Sequence, residues 1–182
     1  MKIESVNNER VKNWMKLSNK KYRDLTGTFL IEGDHLLNEA LKEGLVEEII
    51  TTDMSFFSND ISCYEVSDNI MKKISNQVSP SKVVAICKKV NPKEIKGNVC
   101  LLDNIQDPGN LGAIIRSAVA FNIDTIIMSE DTVDLYNEKV IRASEGMMFH
   151  LNFIKGNLRG NIMELKNKEQ RENSAFIIGK RK

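Results

Sequence analysis

Short apolar runs alternate with amphipathic segments along the chain, and this alternation predicts an α/β fold. The apolar runs are bounded by polar or turn-forming residues, as is typical of buried strands. They predict strands at 28–31, 48–52, 63–66, 83–87, 99–102, 124–128 and 175–178. The helical spacing of apolar positions predicts helices over 7–20, 35–43, 68–74 and the segment that follows Gly112. The repeated order of strand, helix and strand indicates open α/β sheets.

The first predicted helix carries an apolar stripe and a basic cluster. Val11, Trp14 and Met15 lie at helical spacing, and core packing is the simplest role for Trp14. The basic cluster runs past the predicted helix end into a loop and contains no acidic residue. Its members are Arg10, Lys12, Lys16, Lys20, Lys21 and Arg23. A cluster of this kind either neutralises phosphates or forms a solvated helix face.

A polar segment divides the predicted elements into two groups. Residues 91–97 (NPKEIKG) contain a proline and a glycine, which is typical of a linker. We therefore expect a domain boundary near residue 95, with one domain over 1–95 and a second over 96–182.

Composition excludes several classes of protein. Hydrophobic residues make up 41% and charged residues 28% of the chain, with a net charge of +1, as in ordinary globular proteins. No apolar run approaches the roughly 18 residues that span a bilayer, and the first residues lack the apolar stretch of a secretory signal. The 3 cysteines and 2 histidines are scattered, so they predict neither a disulfide framework nor a metal site. We therefore expect a cytoplasmic protein.

The turn after the predicted strand at 99–102 carries the clearest candidate chemistry. Asn110 lies at the start of the next helix, and Gly112 allows a close backbone approach. Arg116 lies one to two turns into that helix beside its apolar face, where a guanidinium needs an anionic partner. A capped turn with an exposed arginine is the alternative interpretation. The spacing matches neither a dinucleotide-binding motif nor a P-loop.

Three ordered segments resemble the SpoU (TrmH) family of RNA ribose 2′-O-methyltransferases. Residues 103–118 (DNIQDPGNLGAIIRSA) resemble its first signature, and 139–150 (KVIRASEGMMFH) resemble its second, which precedes a short strand. Residues 8–23 and 29–33 are similar to the small substrate-binding domain that precedes the catalytic domain. The resemblance covers about residues 4–155.

The resemblance implies a small α/β substrate-binding domain followed by a SPOUT-type methyltransferase domain, which is normally tied in a trefoil knot. It implies methyl transfer from S-adenosylmethionine to a ribose 2′-hydroxyl of ribosomal or transfer RNA by a homodimer. The family's asparagine and arginine fall on Asn110 and Arg116, and Glu145 is a further catalytic candidate in the second signature. Arg116 would act either as a base or as an electrostatic clamp.

The expected RNA-binding residues lie in two regions of the sequence. Basic side chains of the first domain would contact phosphates, and Tyr22 would stack on a base. The basic candidates are Lys20, Lys21, Arg23 and Arg142.

The family's third signature, which forms most of the cofactor pocket, is not found in this sequence. Residues 174–179 (SAFIIG) resemble the strand that opens it. We therefore expect an incomplete methyltransferase domain that binds S-adenosylmethionine weakly and is inactive alone, with cofactor-binding residues unassigned. Two other functions stay open: a non-catalytic RNA-binding remnant of the family, and a nucleotide-binding regulator that uses only the turn at 107–112.

Overall fold

A computed structural model describes residues 1–56, 60–168 and 175–179. Contacts divide the chain into two compact units, Met1–Val90 and Asn91–Lys182. Each unit contains its own sheet. Among the described residues, no helix combines the length and the apolar character that crossing a membrane requires.

The first unit contains a mixed five-stranded sheet in the order β1-β4-β3-β5-β2. Its strands are β1 (Lys2–Ile3), β2 (Thr28–Glu32), β3 (Val46–Thr51), β4 (Ser62–Val66) and β5 (Val83–Lys88). Its helices are α1 (Glu9–Lys16), α2 (Lys20–Thr26), α3 (Asp34–Lys42) and α4 (Asp68–Ile74). β5 is antiparallel to both β2 and β3, whereas β3 and β4 are parallel. The apolar run of β5 is buried because the strand lies between two neighbours.

One core joins α1 and α4 to this sheet. Val11 and Trp14 from α1 pack with Ile70 and Met71 from α4 and with apolar side chains of the strands. Trp14 is 4% exposed, so its expected core role is confirmed.

The single helix predicted over 7–20 is wrong, because the chain turns between α1 and α2. The side chain of Asn19 accepts a hydrogen bond from the backbone N–H of Lys21 at 2.9 Å and thereby caps a new helix. Lys20 and Lys21 therefore lie in the first turn of α2 rather than in a loop. Gly27 ends α2 with a φ of 68°, which glycine adopts without strain.

The second unit contains a parallel four-stranded sheet in the order β8-β7-β6-β9. Its strands are β6 (Val99–Asp103), β7 (Thr125–Met128), β8 (Asn152–Lys155) and β9 (Ala175–Gly179). Its helices are α5 (Pro108–Ala120), α6 (Glu138–Ser144) and α7 (Leu158–Lys168). α5 connects β6 to β7 as a crossover helix. The predicted α/β class is confirmed, and so are the predicted strands, to within two residues at each end.

The two faces of the second sheet are covered by different helices. Val99, Leu101 and Ile127 pack with Leu158 and Ile162 of α7 on one face. Because side chains alternate along a strand, Cys100 and Leu102 project to the other face, toward α5. The carboxyl ends of the parallel strands share one edge, which is where open α/β sheets bind ligands.

Candidate active site

The loop after β6 is fastened to the loop after β7. Asn104 has a left-handed backbone with a φ of 54°, and its N–H donates to Ser129 Oγ at 2.8 Å. The side-chain amide of Gln106 donates to Asn104 Oδ1 and to the carbonyl of Asp131, both at 2.7 Å. These bonds hold a left-handed residue in place at the carboxyl edge of the sheet. The sequence pattern did not single out Gln106, because its partner Asp131 is distant in the chain.

Helix α5 begins in the turn predicted to carry the chemistry. Asp107 is its N-cap, and its Oδ1 accepts a hydrogen bond from the backbone N–H of Asn110 at 2.7 Å. Pro108 occupies the first helical position, where its missing N–H costs nothing. Asn110 therefore lies in the first turn with an exposed side chain.

A close contact between α5 and α6 brings the two signatures together. A Cβ built on Gly112 would lie 2.3 Å from Ala143 Cβ and 2.9 Å from the backbone nitrogen of Ser144. Only glycine fits such an approach, so the predicted role of Gly112 is confirmed by its surroundings. Arg116 lies one turn further along α5 and therefore also faces α6.

Arg116 and Glu145 form an ion pair across this contact. Arg116 Nη1 lies 2.7 Å from Glu145 Oε1, and the two side chains are 46% and 61% exposed. Glu145 ends α6 with a left-handed backbone, φ 51°, and Gly146 follows with φ 80°. This left-handed turn directs the chain so that the carboxylate meets the guanidinium. The structure thus brings together two of the three predicted catalytic residues, whereas Asn110 lies about 9 Å from Arg116 along the helix axis.

The geometry suits an oxyanion or a phosphate. Arg116 is oriented by one carboxylate oxygen and still has exposed N–H groups, so it can donate to an incoming anion. Arg142 lies one residue before Ala143 on α6 and is exposed. Arg142 of α6 is thus next in sequence to the residue that contacts Gly112 of α5.

Comparison with known proteins agrees with this arrangement. Residues 8–85 match the MRM3-like substrate binding domain, and residues 97–178 match the SpoU rRNA Methylase family. The 23S rRNA (guanosine(2553)-2′-O)-methyltransferase RlmP of Bacillus subtilis is 39% identical over 170 residues, which cover 90% of this chain and 68% of the relative. The chain belongs to the SpoU rRNA methylase family.

Two further proteins, one similar in sequence and one similar in fold, are longer than this chain. An uncharacterized tRNA/rRNA methyltransferase of Synechocystis is 32% identical over 79% of this chain, which spans 58% of that relative. An AdoMet-bound rRNA methyltransferase of Sinorhizobium meliloti superposes on this chain with a TM-score of 0.79 at 24% identity. The match covers 98% of this chain and 79% of the Sinorhizobium chain. SpoU methylases bind S-adenosylmethionine, and the B. subtilis relative is named as a methyltransferase of 23S rRNA.

The basic surface of this SpoU chain lies on α1 and α2. Lys12, Lys16 and Lys21 are exposed, and Lys16 Nζ lies 5.8 Å from the ring centre of Tyr22. Lys20 Nζ lies 2.5 Å from Asp24 Oδ2, and Lys89 Nζ lies 2.6 Å from Asp24 Oδ1. Hydrogen bonds from Lys20, which has the larger effect, and from Lys89 lower the pKa of Asp24 to about 2. Asp24 is therefore charged at neutral pH and pairs with Lys20.

The prediction that Arg23 binds RNA is wrong. Its side chain is buried, with 6% of the residue exposed, and its Nη1 donates to the carbonyls of Leu17 and Ser18, both at 2.8 Å. These carbonyls follow the last turn of α1, where a cation satisfies unpaired acceptors and the helix dipole. Arg23 therefore joins α1 to α2 and is not available to phosphate.

Arg10 of the basic cluster also has a structural partner. Its Nη1 lies 3.1 Å from Glu48 Oε1, and its guanidinium lies 4.9 Å from the ring centre of Tyr64. Trp14 Nε1 donates to the other oxygen of Glu48 at 2.8 Å. Glu48 therefore fastens α1 to β3, and a linear count of basic residues overstates the free positive charge.

Proposed function

We propose that this chain supplies the RNA-binding and catalytic groups for methylation of a ribose 2′-hydroxyl in ribosomal RNA. The observation that carries the proposal is the Arg116–Glu145 pair, held where the two family signatures meet. Family membership favours this enzymatic function over a non-catalytic RNA-binding remnant, and we propose it in place of the inactivity that the missing third signature predicts. A ribosomal substrate also supports a cytoplasmic location, which agrees with the three cysteines in their reduced, unbridged form.

Arg116 acts in this proposal as an electrostatic clamp. A ribose hydroxyl is a weak nucleophile that gives its proton to solvent water as its oxygen takes up the methyl group, so negative charge develops on that oxygen. A guanidinium stays protonated at neutral pH and stabilises this charge, or the adjoining phosphate, through its N–H groups. Glu145 orients the guanidinium by accepting one hydrogen bond, which leaves the remaining donors for RNA.

Asn110 and Arg142 complete the RNA side of the site in this proposal. Asn110 lies in the first turn of α5, where its exposed amide can donate to a ribose or phosphate oxygen. Arg142 is exposed on α6, beside the residue that contacts Gly112, and would bind the phosphate backbone.

The carboxyl edge of the second sheet fits one side of S-adenosylmethionine. Asp103 and Gly179 are paired at the ends of β6 and β9, and Asp103 is exposed. An exposed carboxylate suits a ligand that carries a positive charge. When bound, the cofactor supplies an electrophilic methyl group.

Methylation of defined RNAs tests the proposed function. The 182-residue chain is incubated with S-adenosylmethionine and a 23S rRNA fragment that contains guanosine 2553, the nucleotide named for the B. subtilis relative. We expect a ribose-methylated nucleotide in this fragment and none in a transfer RNA of equal length. Methylation of the transfer RNA alone would show that the assigned substrate class is wrong.

Removing two exposed lysines should weaken RNA binding and reduce its dependence on salt. In the variant Lys20→Ala/Lys21→Ala, we expect the slope of log K against log salt to fall by about one for each phosphate that is no longer neutralised. Fluorescence anisotropy with the rRNA fragment between 50 and 200 mM salt, roughly the range over which phosphate binding responds, measures the slope. The control Lys2→Ala/Lys42→Ala removes two other exposed lysines and should leave the slope unchanged. An unchanged slope in the first variant would exclude α2 from the RNA surface.

We also propose that the chain forms a homodimer through α5. An apolar groove of about 680 Å³ lies along this helix, and its lining includes Cys100, Ala113, Ser117, Phe121 and Ile178. Phe121 is 78% exposed beside the groove. In a twofold dimer, each phenyl ring can enter the groove of the other subunit, because such an interface is self-complementary. Burial raises the pKa of Cys100, so its thiol stays neutral and suits an apolar contact.

Changing Phe121 to aspartate should dissociate this dimer. The residue is exposed, so the fold should be retained while a charge enters the interface. Size-exclusion chromatography with light scattering should give a dimer for the wild type and a monomer for Phe121→Asp. The control Met163→Asp changes an apolar side chain of α7 that is 67% exposed and should remain dimeric. A monomeric wild type, or a variant that remains dimeric, contradicts the proposal.

A further inference from the structure

A short loop in the first unit is pinned at both ends by one carboxylate. Residues 75–81 connect α4 to β5, and Glu32 lies at the carboxyl end of β2. Ser75 Oγ donates to Glu32 at 2.8 Å, and the backbone N–H of Ser81 donates to Glu32 Oε1 at 2.8 Å. Hydrogen bonds to a carboxylate are stronger than neutral ones. Glu32 therefore holds the two ends of the loop together.

Further bonds fix the two ends of the loop. Ser75 Oγ also accepts from the backbone N–H of Gln77 at 3.0 Å. At the other end, Thr51 Oγ1 donates to the carbonyl of Lys82 at 2.9 Å, and the N–H of Gly33 donates to the carbonyl of Val83 at 3.0 Å. The loop is thus attached to the ends of β2 and β3, so its conformation is set before any ligand arrives.

The tip of this loop projects an apolar side chain into solvent. Val78 is 103% exposed, between Gln77 and Ser79. A valine in that position gains no stability from burial, so the fold does not explain it. Its neighbours offer an amide and a hydroxyl, which can donate and accept hydrogen bonds.

The charge near the loop favours a polyanion. Lys72 and Lys73 are exposed in the last turn of α4, directly before the loop. Lys82 follows the loop and lies 3.1 Å from Asp53. Hydrogen bonds from Ser55 and, to a smaller extent, from Lys82 lower the pKa of Asp53 to about 2. The Asp53 carboxylate therefore offsets the charge of one of the three lysines. The Glu32 carboxylate offsets a second lysine, so one lysine charge remains beside the loop.

We propose that the loop 75–81 is a second RNA-binding element, which contacts unpaired nucleotides through Gln77, Val78 and Ser79. The inference rests on the proposed function, because it takes ribosomal RNA as the substrate. Amide and hydroxyl side chains bind the edges of unpaired bases, and adjacent lysines bind their phosphates. The α1–α2 surface adjoins the amino end of β2, whereas this loop is pinned to its carboxyl end, about 13 Å away. The first domain thus has two separate contacts with RNA.

Site-specific crosslinking tests the placement. The three natural cysteines are buried, so Val78→Cys introduces a single exposed thiol for a thiol-directed photocrosslinker. With an RNA hairpin of defined stem and loop, we expect crosslinks to the unpaired loop nucleotides. Met163→Cys, labelled in the same way, should give few. Equal crosslinking from both positions, or crosslinks only to the paired stem, overturns the inference.

Binding measurements separate this inference from the proposed function. We expect Val78→Asp to weaken binding to the hairpin about 10-fold, or about 1.4 kcal/mol, and to leave binding to the isolated paired stem unchanged. Glu32→Ala, which releases the loop, should weaken hairpin binding in the same selective way, and its circular dichroism spectrum verifies the fold. Met163→Asp is the matched control. If the wild type binds the hairpin and Val78→Asp binds it equally well, the loop is not an RNA contact. A wild type that binds neither RNA overturns the proposed function as well.

Discussion

Replacing Arg116 with alanine should lower methyl transfer to the rRNA fragment by about 10²- to 10³-fold, the usual cost of removing one group that stabilises a developing oxyanion. The guanidinium is held by Glu145 at 2.7 Å and is half-exposed toward incoming RNA. Rates of methyl incorporation under single-turnover conditions measure the effect. Because Arg116 is on the surface, the melting temperature should be unchanged.

Two variants show whether geometry or charge matters at this position. Arg116→Lys keeps the positive charge but loses the planar set of donors, so we expect most of the activity to be lost. Arg159→Ala removes an exposed arginine of α7 in the same unit and should leave the rate unchanged. An Arg116→Ala rate within threefold or so of the wild type would contradict a direct role, since that is below the effect of even one weak contact.

Replacing Gly112 with alanine should reduce both stability and activity. The new Cβ would lie 2.3 Å from Ala143 Cβ and 2.6 Å from the backbone carbon of Ala143, so α5 and α6 must move apart. Overpacking of this kind typically costs about 1–3 kcal/mol. Arg116 lies on α5 and Glu145 ends α6, so moving the two helices apart should also break their ion pair. Denaturant unfolding and the methyl transfer rate measure the two effects.

The chain offers a matched control for Gly112. Gly160 lies within α7, and a Cβ built there meets no atom within 4 Å. Gly160→Ala should therefore be neutral or stabilise the protein by about 0.5–1 kcal/mol, because alanine favours the helix. A Gly112→Ala variant as stable and active as Gly160→Ala would show that the close approach is not required.

The sequence predicted the positions of strands well and their partners poorly. Apolar runs marked β5 and β6 because burial requires apolar side chains along the strand. The antiparallel pairing of β5 with both β2 and β3 was not predicted, since the partners are far apart in the chain. The two-residue strand β1 is too short to leave a pattern.

In the candidate site, too, the sequence predicted the residues better than it predicted their contacts. Family signatures identified Arg116 and Glu145, but their contact links residues 29 apart and depends on the packing of Gly112 against Ala143. The basic cluster contains two exposed cations, Lys20 and Lys21. It could not distinguish them from Arg23, because burial depends on the turn that Asn19 introduces between α1 and α2.

The most direct test of the central claim is to locate the methyl group in the RNA product. The 182-residue chain and its Arg116→Ala variant are each incubated with rRNA fragment and labelled S-adenosylmethionine in saturating excess. The product is digested to nucleosides and analysed by mass spectrometry. We expect the wild type to yield a 2′-O-methylated nucleoside and the variant to yield almost none. Label on a base, or no label above background with the wild type, would contradict the proposed ribose methylation.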